Sequence, residues 1–184
     1  GEEALQRVFG SKPAGFRAPD GLMSKETRGI LAGRGYQYDS TYCDDDLPYV
    51  VSDGNGNRLA ELPHLHTTAM DRHYYQVYRQ PEVVREAFRE ELSAMFEVGG
   101  LFNLAIHPRG DYGSGRGVRI RVIEDTLQAV RETPRLWVAT CLLAGTLVLG
   151  AKPAVALIGP LDCTASGSVL VMDDPLTGLI SRWV

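Results

Sequence analysis

Ala4, Leu5, Val8 and Phe9 recur at helical spacing in the opening residues. Pro13 and Pro19 then bar helix at the positions before them, so "SKPAGFRAP" runs extended into a strand. A short helix is predicted over 24–33, with Ser24 as its N-cap, Thr27 at the third helical position, and Gly33 and Gly35 closing it. "YQYDSTY" alternates as a strand does, and "DDDLPYVVSDGNGNRLAELP" offers a pair of strands across the turn-rich stretch from Asp53 to Asn57.

The clearest helix is 81–97. Pro81 stands at its start, Val84, Phe88, Leu92, Met95 and Phe96 form one apolar stripe, and Gly99 and Gly100 end it. "LFNLAIH" follows as a strand, then a glycine loop, a helix from about 118 to 132, and the strand "LWVAT". Strand, loop, helix, strand repeating in this way defines an α/β protein.

Composition narrows the partners more than the fold. The 184 residues are 44% hydrophobic and 23% charged, which is ordinary for one domain with a sizeable core. A net charge of -4 supplies no attraction for nucleic acid or an anionic membrane. Cys43, Cys141 and Cys163 are odd in number and far apart, without C-x-x-C, so neither a disulfide framework nor a zinc knuckle is signalled. "GEEALQRVFG" lacks the basic region and apolar stretch of a secretory signal, and the compartment stays open.

The last stretch differs from the rest. Across 142–184 only Lys152, Asp162, Asp173, Asp174 and Arg182 are ionised. "LWVATCLLAGTLVLGA" is 16 uncharged residues, short of the roughly 20 a spanning helix needs, which argues against a membrane span. Residues 142–184 therefore read as an atypical apolar tail, possible as an aberrant or frame-shifted segment, on a domain formed by 1–141.

Candidate chemistry sits at strand ends. In a parallel α/β barrel, residues at the carboxyl end of a strand face the active-site mouth. His107 has that address, as do Arg17 after "AGF" and Asp39 after "YQY". A satisfied structural side chain is the alternative for each. Gly113, Gly115 and Gly117 lie between strand and helix, where a phosphate cradle would be, but their G-x-G-x-G spacing lacks the third interval of a dinucleotide loop and the Lys-Ser/Thr of a P-loop. "PHLH" places His64 and His66 two apart, with Asp71 and His73 nearby as further donors. Such residues can hold zinc, yet no third ligand stands at a defined spacing.

Two longer segments resemble a known family. "KPAGFRAPDGLMSKETRGILAGRGYQYDSTYCDDDLPY" is similar to the middle of the polysaccharide deacetylase family, the NodB-homology domain. Members carry a lysine or threonine and a proline leading into G-[FY]-R-x-P, then a helix beginning near Ser-x-Glu-Thr and ending in glycine before "YDSS". "FNLAIHPRGDYGSGRGVRIRVIEDTL" resembles the late L-x-[IL]-H-P motif with its following G-R-x-x-R and helix, and "RLWVATC" resembles the last barrel strand. The likeness covers roughly residues 5 to 141 and rests on several ordered motifs at matching separations.

The resemblance implies a distorted (β/α) barrel and divalent-metal-dependent hydrolysis of an N-acetyl group, occasionally an O-acetyl group, or a related amide. Zinc is the first choice of metal, and an acetylated carbohydrate or small amide is the substrate. In the family, an early aspartate pair and an H-[ST]-x-x-[HD] motif supply base and metal ligands ahead of G-F-R-x-P. Neither string occurs in this sequence, so the expectation is the C-terminal half of the barrel, with the metal ligands upstream of residue 1 and none in the chain. Little turnover and poor autonomous stability follow for the chain by itself. The family occurs on both sides of the bacterial membrane.

By the same resemblance, Arg17 matches the arginine that orients the catalytic aspartate, a fork-shaped contact suited to guanidinium. His107 matches the histidine that protonates the leaving amine. Asp71 matches the acid that holds this histidine, although the tryptophan usual before it is absent. Leu104 and Ile106, one or both, are placed at the apolar acyl pocket, and Pro19 of the R-x-P motif at the substrate. The alternative is a non-catalytic carbohydrate-binding or interaction domain that keeps the sugar cleft without the metal site.

Overall fold

The computed structural model describes residues 1–64 and 68–150 and, as backbone, the strand at 169–173. Two compact units are present: residues 1–63 with the helix at 141–150, and residues 64–140 with the strand at 169–173. In chain order the elements are α1 (Glu2–Phe9), β1 (Gly15–Phe16), a 3-10 turn (Pro19–Gly21), α2 (Thr27–Gly33), β2 (Tyr38–Asp39), β3 (Tyr49–Ser52) and β4 (Arg58–Glu61). There follow α3 (Asp71–Gln76), α4 (Pro81–Val98), β5 (Leu101–Ala105), α5 (Gly117–Glu132), β6 (Trp137–Thr140), α6 (Cys141–Gly150) and β7 (Val169–Asp173).

The first unit is built on a four-stranded sheet of order β1-β2-β4-β3. β1, β2 and β4 run parallel, while β3 and β4 form the hairpin expected across 53–57. Asp53 closes it: Oδ1 accepts the N–H groups of Asn55 at 2.8 Å and Asn57 at 3.1 Å, the local bond that makes aspartate a turn residue. Leu31, Ala32, Tyr36 and Leu59 form the core, with Phe16 and Met23 against it. The helix expected over 24–33 begins only at Thr27. The Ser24 carbonyl accepts the Thr27 N–H at 3.2 Å and the two hydroxyls meet at 3.0 Å, so this pair closes a turn ahead of the helix rather than capping it.

In the second unit β5, β7 and β6 form a parallel three-stranded sheet with β7 in the middle. α4 buries Val84, Phe88, Leu92 and Met95, an i, i+4, i+8, i+11 stripe. Val122, Ile123 and Val130 of α5 and Phe102 and Leu104 of β5 complete the core. Tyr74 meets Phe88 edge to face at 5.9 Å between ring centroids. Gly99, with φ 70°, ends α4 by returning its N–H to Met95 and Phe96. The backbone N–H of Ala105 then reaches Ala69 O at 2.9 Å, and an isolated parallel bridge between Met70 and Ala105 lays the start of α3 beside the end of β5.

The two sheets are open among the described residues. The uncharged run 136–151 is divided between a strand and a helix, β6 and α6, and no helix among the described residues is long and apolar enough to cross a membrane. The remainder of the expected tail, 151–168 and 174–184, lies outside the described residues.

Phe88 is wholly buried at the centre of the second core. Replacing it with alanine is expected to destabilise this unit by about 3 to 5 kcal/mol, the sum of lost transfer energy and a residual cavity. Urea unfolding monitored at Trp137 in β6 checks this. A loss below about 1 kcal/mol is incompatible with the packing described.

Candidate active site

In the second unit the bridge at Ala105 decides which side chains meet. Asp71 is the first residue of α3 and His107 lies two residues beyond β5. His107 Nδ1 stands 2.8 Å from Asp71 Oδ1, and the His107 backbone N–H donates to the same carboxylate at 3.0 and 3.2 Å. Asp71 has no exposure, whereas the His107 side chain is 30% exposed. A buried aspartate bonded to one ring nitrogen fixes the neutral imidazole as the Nδ1–H tautomer, which leaves Nε2 as its working atom.

The glycine loop completes this arrangement. Ser114, itself buried, donates to Asp71 Oδ2 through its backbone N–H at 2.8 Å and its hydroxyl at 2.7 Å. The same N–H lies 2.9 Å from His107 O, so the loop folds back onto the histidine backbone. Glycine is required beside it. A Cβ on Gly113 would land on the His107 carbonyl oxygen and within 2.8 Å of His107 Cβ, and one on Gly115 would approach the Arg109 carbonyl carbon to 2.8 Å. The loop's glycines thus allow close approach to the Asp71–His107 pair, where the sequence spacing had raised a phosphate cradle.

Tyr112, from the same loop, presents its ring to His107 at 5.8 Å between centroids and a 70° interplanar angle. The guanidinium groups of Arg109 and Arg72 lie 4.5 and 5.3 Å from the Tyr112 centroid. Of the two apolar residues expected at an acyl pocket, Leu104 is instead buried in the core with Phe102, whose face of the strand it shares. Ile106 lies past the strand end, partly buried and adjacent in sequence to His107.

Arg17 and Pro19 belong to the first unit. Arg17 follows β1 and grips Ser40: Nε donates to the Ser40 carbonyl and Nη2 to its hydroxyl, both at 2.7 Å. Ser40 Oγ in turn donates to Leu62 O at 2.6 Å, so one guanidinium ties together the ends of β1, β2 and β4. Pro19 is exposed at the head of the 3-10 turn. Asp39, the third strand-end candidate, is fully buried and lies opposite Glu61 in the β2–β4 register.

That second carboxylate was missed in the sequence. Glu61 Oε1 accepts the N–H groups of Thr41 at 3.2 Å and Tyr42 at 3.0 Å, and Oε2 accepts Arg28 Nη2 at 3.0 Å. Thr41 Oγ1 donates to Asp39 Oδ1 at 2.6 Å. Burial first, and the neighbouring Asp39 second, push Glu61 up to about 7, while burial also raises Asp39. The pair therefore retains one proton near neutrality. The clue available in advance was "AELP", a lone acid in an otherwise apolar strand end.

Of the residues weighed for a metal at "PHLH", His64 is buried, Asp71 is committed to His107, and His66 lies outside the described residues. Among the described residues no group of three or more His, Cys, Asp or Glu is arranged to hold a metal ion.

Comparison with solved structures finds proteins of similar fold. A protein from Mycobacterium smegmatis assigned as a polysaccharide deacetylase is similar at 29% identity and a TM-score of 0.72, over 84% of this chain and 58% of that one. A second, from Pseudomonas aeruginosa PAO1 and likewise assigned, matches at 22% identity and a TM-score of 0.63, over 74% and 46%. The Puue allantoinase matches at 18% identity and a TM-score of 0.71, over 84% and 52%. The chain shares its fold with these polysaccharide deacetylases and this allantoinase. It spans about half the length of each. No protein-family model matches the sequence, and no curated protein does.

The Asp39–Glu61 pair gives the first unit a defined response to pH. Because Glu61 binds its proton more tightly folded, near 7, than at its ordinary 4.5, the stability it contributes is fully present below about 4.5 and is lost as pH rises through about 7. Glu61→Gln is expected to flatten this decline in urea unfolding curves recorded between pH 4.5 and 8. An unchanged slope in the variant means that the pair holds no such proton.

Proposed function

We propose that the chain is part of a hydrolase of the deacetylase type, acting on a non-peptide carbon–nitrogen bond in an N-acetyl sugar or a related amide. Its second unit supplies the acid that releases the nitrogen. The observation that carries this reading is the Asp71–His107 pair: a fully buried carboxylate on Nδ1 and a partly exposed ring beyond it. In the protonated imidazole, Asp71 stabilises the charge and Nε2–H is the proton donor. When the leaving amine departs it takes this proton, and the neutral ring stays in the Nδ1–H form. Ile106 and Tyr112, next to His107 in sequence and in space respectively, offer the apolar and aromatic surface that an acyl group or sugar ring would contact.

Arg17 is assigned the orienting of the catalytic aspartate that the family carries ahead of G-F-R-x-P, and the strand ends it joins through Ser40 make it rigid enough for that role. The family likeness brings with it a divalent metal, zinc first. The described residues do not form a ligand set for one, so the chemistry assigned to this chain is the proton transfer of His107 and the support its partners give. The C-terminal half of a distorted barrel remains the architecture this reading assigns to the chain, consistent with its span of about half of each related structure.

The test is acetate release from N-acetylated chito-oligosaccharides and small N-acetyl amines, by the longest natural form of the protein that carries these residues. His107→Ala is expected to lower kcat by about 10²- to 10⁴-fold with little change in KM, the usual weight of a general acid. Retention of full turnover in that variant, or binding of the sugars without any turnover in the parent, rejects the hydrolase reading. The latter outcome supports a carbohydrate-binding domain.

A further inference from the structure

We propose that Ser114 is a positioning residue for His107, acting through Asp71 by holding the plane of its carboxylate against the imidazole. This rests on the reading of Asp71–His107 as a working pair. Asp71 is fully buried, and its two oxygens receive unequal company. Oδ2 takes both donors of Ser114, the hydroxyl at 2.7 Å and the N–H at 2.8 Å. Oδ1 takes the imidazole at 2.8 Å. The His107 N–H spans both oxygens at 3.0 and 3.2 Å and so discriminates little between them.

The serine hydroxyl is one of the donors that restrain the tilt of the carboxylate about its Cβ–Cγ bond, a terminal torsion whose wells are otherwise broad. With it, Oδ2 is held by two donors and the in-plane lone pair of Oδ1 stays on Nδ1. A hydrogen bond to a charged acceptor is the stronger kind, so this one hydroxyl weighs more than a neutral contact would.

The backbone around Ser114 makes the assignment specific. Gly113 and Gly115 are the positions where a Cβ would collide with the His107 and Arg109 backbones, so the loop is pressed onto the histidine with a single side chain, that of Ser114, turned into the buried carboxylate. A loop needed only for connection would have no use for a hydroxyl at its most buried point. Ser114 touches neither the exposed edge of His107 nor any group that would meet substrate in the proposed reaction. Its effect is on tautomer and ring orientation, not on proton transfer itself.

Nitrogen-15 NMR on the 184-residue chain tests this. In the parent, the neutral His107 ring is expected as a single Nδ1–H tautomer whose proton exchanges slowly with water. Ser114→Ala should speed that exchange by roughly tenfold or more, as expected for loss of a charge-assisted bond, and introduce the Nε2–H tautomer. Ser114→Thr, which keeps the hydroxyl, should restore the parent pattern. If the alanine variant does not fold, Ser114→Cys carries the test, because a thiol of similar shape is only a weak donor. A single slowly exchanging Nδ1–H tautomer in either the alanine or the cysteine variant overturns the proposal. The outcome is separable from that of the proposed reaction: turnover indifferent to His107→Ala removes the acid role and leaves these spectra unchanged, while spectra indifferent to Ser114 leave the acid role standing.

Discussion

A carboxylate with no exposure must be supplied with donors by its own protein, because the water it gave up cannot be recovered. Asp71 meets that demand with four: the backbone N–H and ring nitrogen of His107, and the backbone N–H and hydroxyl of Ser114. Each pair of donors fixes a different piece of chain. The His107 pair fixes the turn after β5, the Ser114 pair fixes the glycine loop, and Asp71 itself starts α3. The hydrogen bond from Ala105 to Ala69 brings that helix start to the strand end. Three segments that make little regular structure of their own are therefore organised by one buried charge, and the histidine at their centre keeps an exposed edge while Asp71 and Ser114 do not.

The buried acids of the first unit solve the same problem in a different way. Glu61 draws on two backbone N–H groups and Arg28, and Asp39 on a threonine hydroxyl, yet the two carboxylates stand opposite each other in adjacent strands. Like charges so placed are relieved by keeping a proton. The pair sits at the ends of β2 and β4, next to the strand ends that Arg17 clamps through Ser40. Burial alone thus does not define an acid–base site. What separates the two places is whether an acid–base side chain reaches the surface, as His107 does and Glu61 does not.

Much of this was legible in the order of residues, and the exceptions share a cause. Helices α4 and α5 and the hairpin at 53–57 announce themselves through periodicity, caps and turn chemistry, all of them local. The address of His107 followed from strand and loop alternation. Its pairing with Asp71, 36 residues away, had no local signal; it came from family likeness, and the missing tryptophan blurred even that. α3, at six residues, is too short to be marked by an apolar stripe. Periodicity gave no orientation for Leu104, because all five residues of β5 are buried and no alternation tells which face meets the helices. Glu61 carried no motif at all.

Part of the apolar tail takes regular structure, in α6 up to Gly150 and in β7. Lack of an amphipathic period in 142–184 suggested a segment foreign to the fold, but amphipathicity is demanded only of elements with one wet face. Parallel strands often read as continuous apolar runs, and "VLVM" runs through β7, which pairs with both β5 and β6. α6 separates its faces by size instead of polarity: Cys141, Ala144, Gly145 and Val148 are buried, while Leu142 and Leu143 are about half exposed. Small residues inward and leucines outward cancel in a hydropathy profile, although they define a packing face as surely as alternating charges do. For these two elements, the composition that sets the segment apart accompanies regular structure.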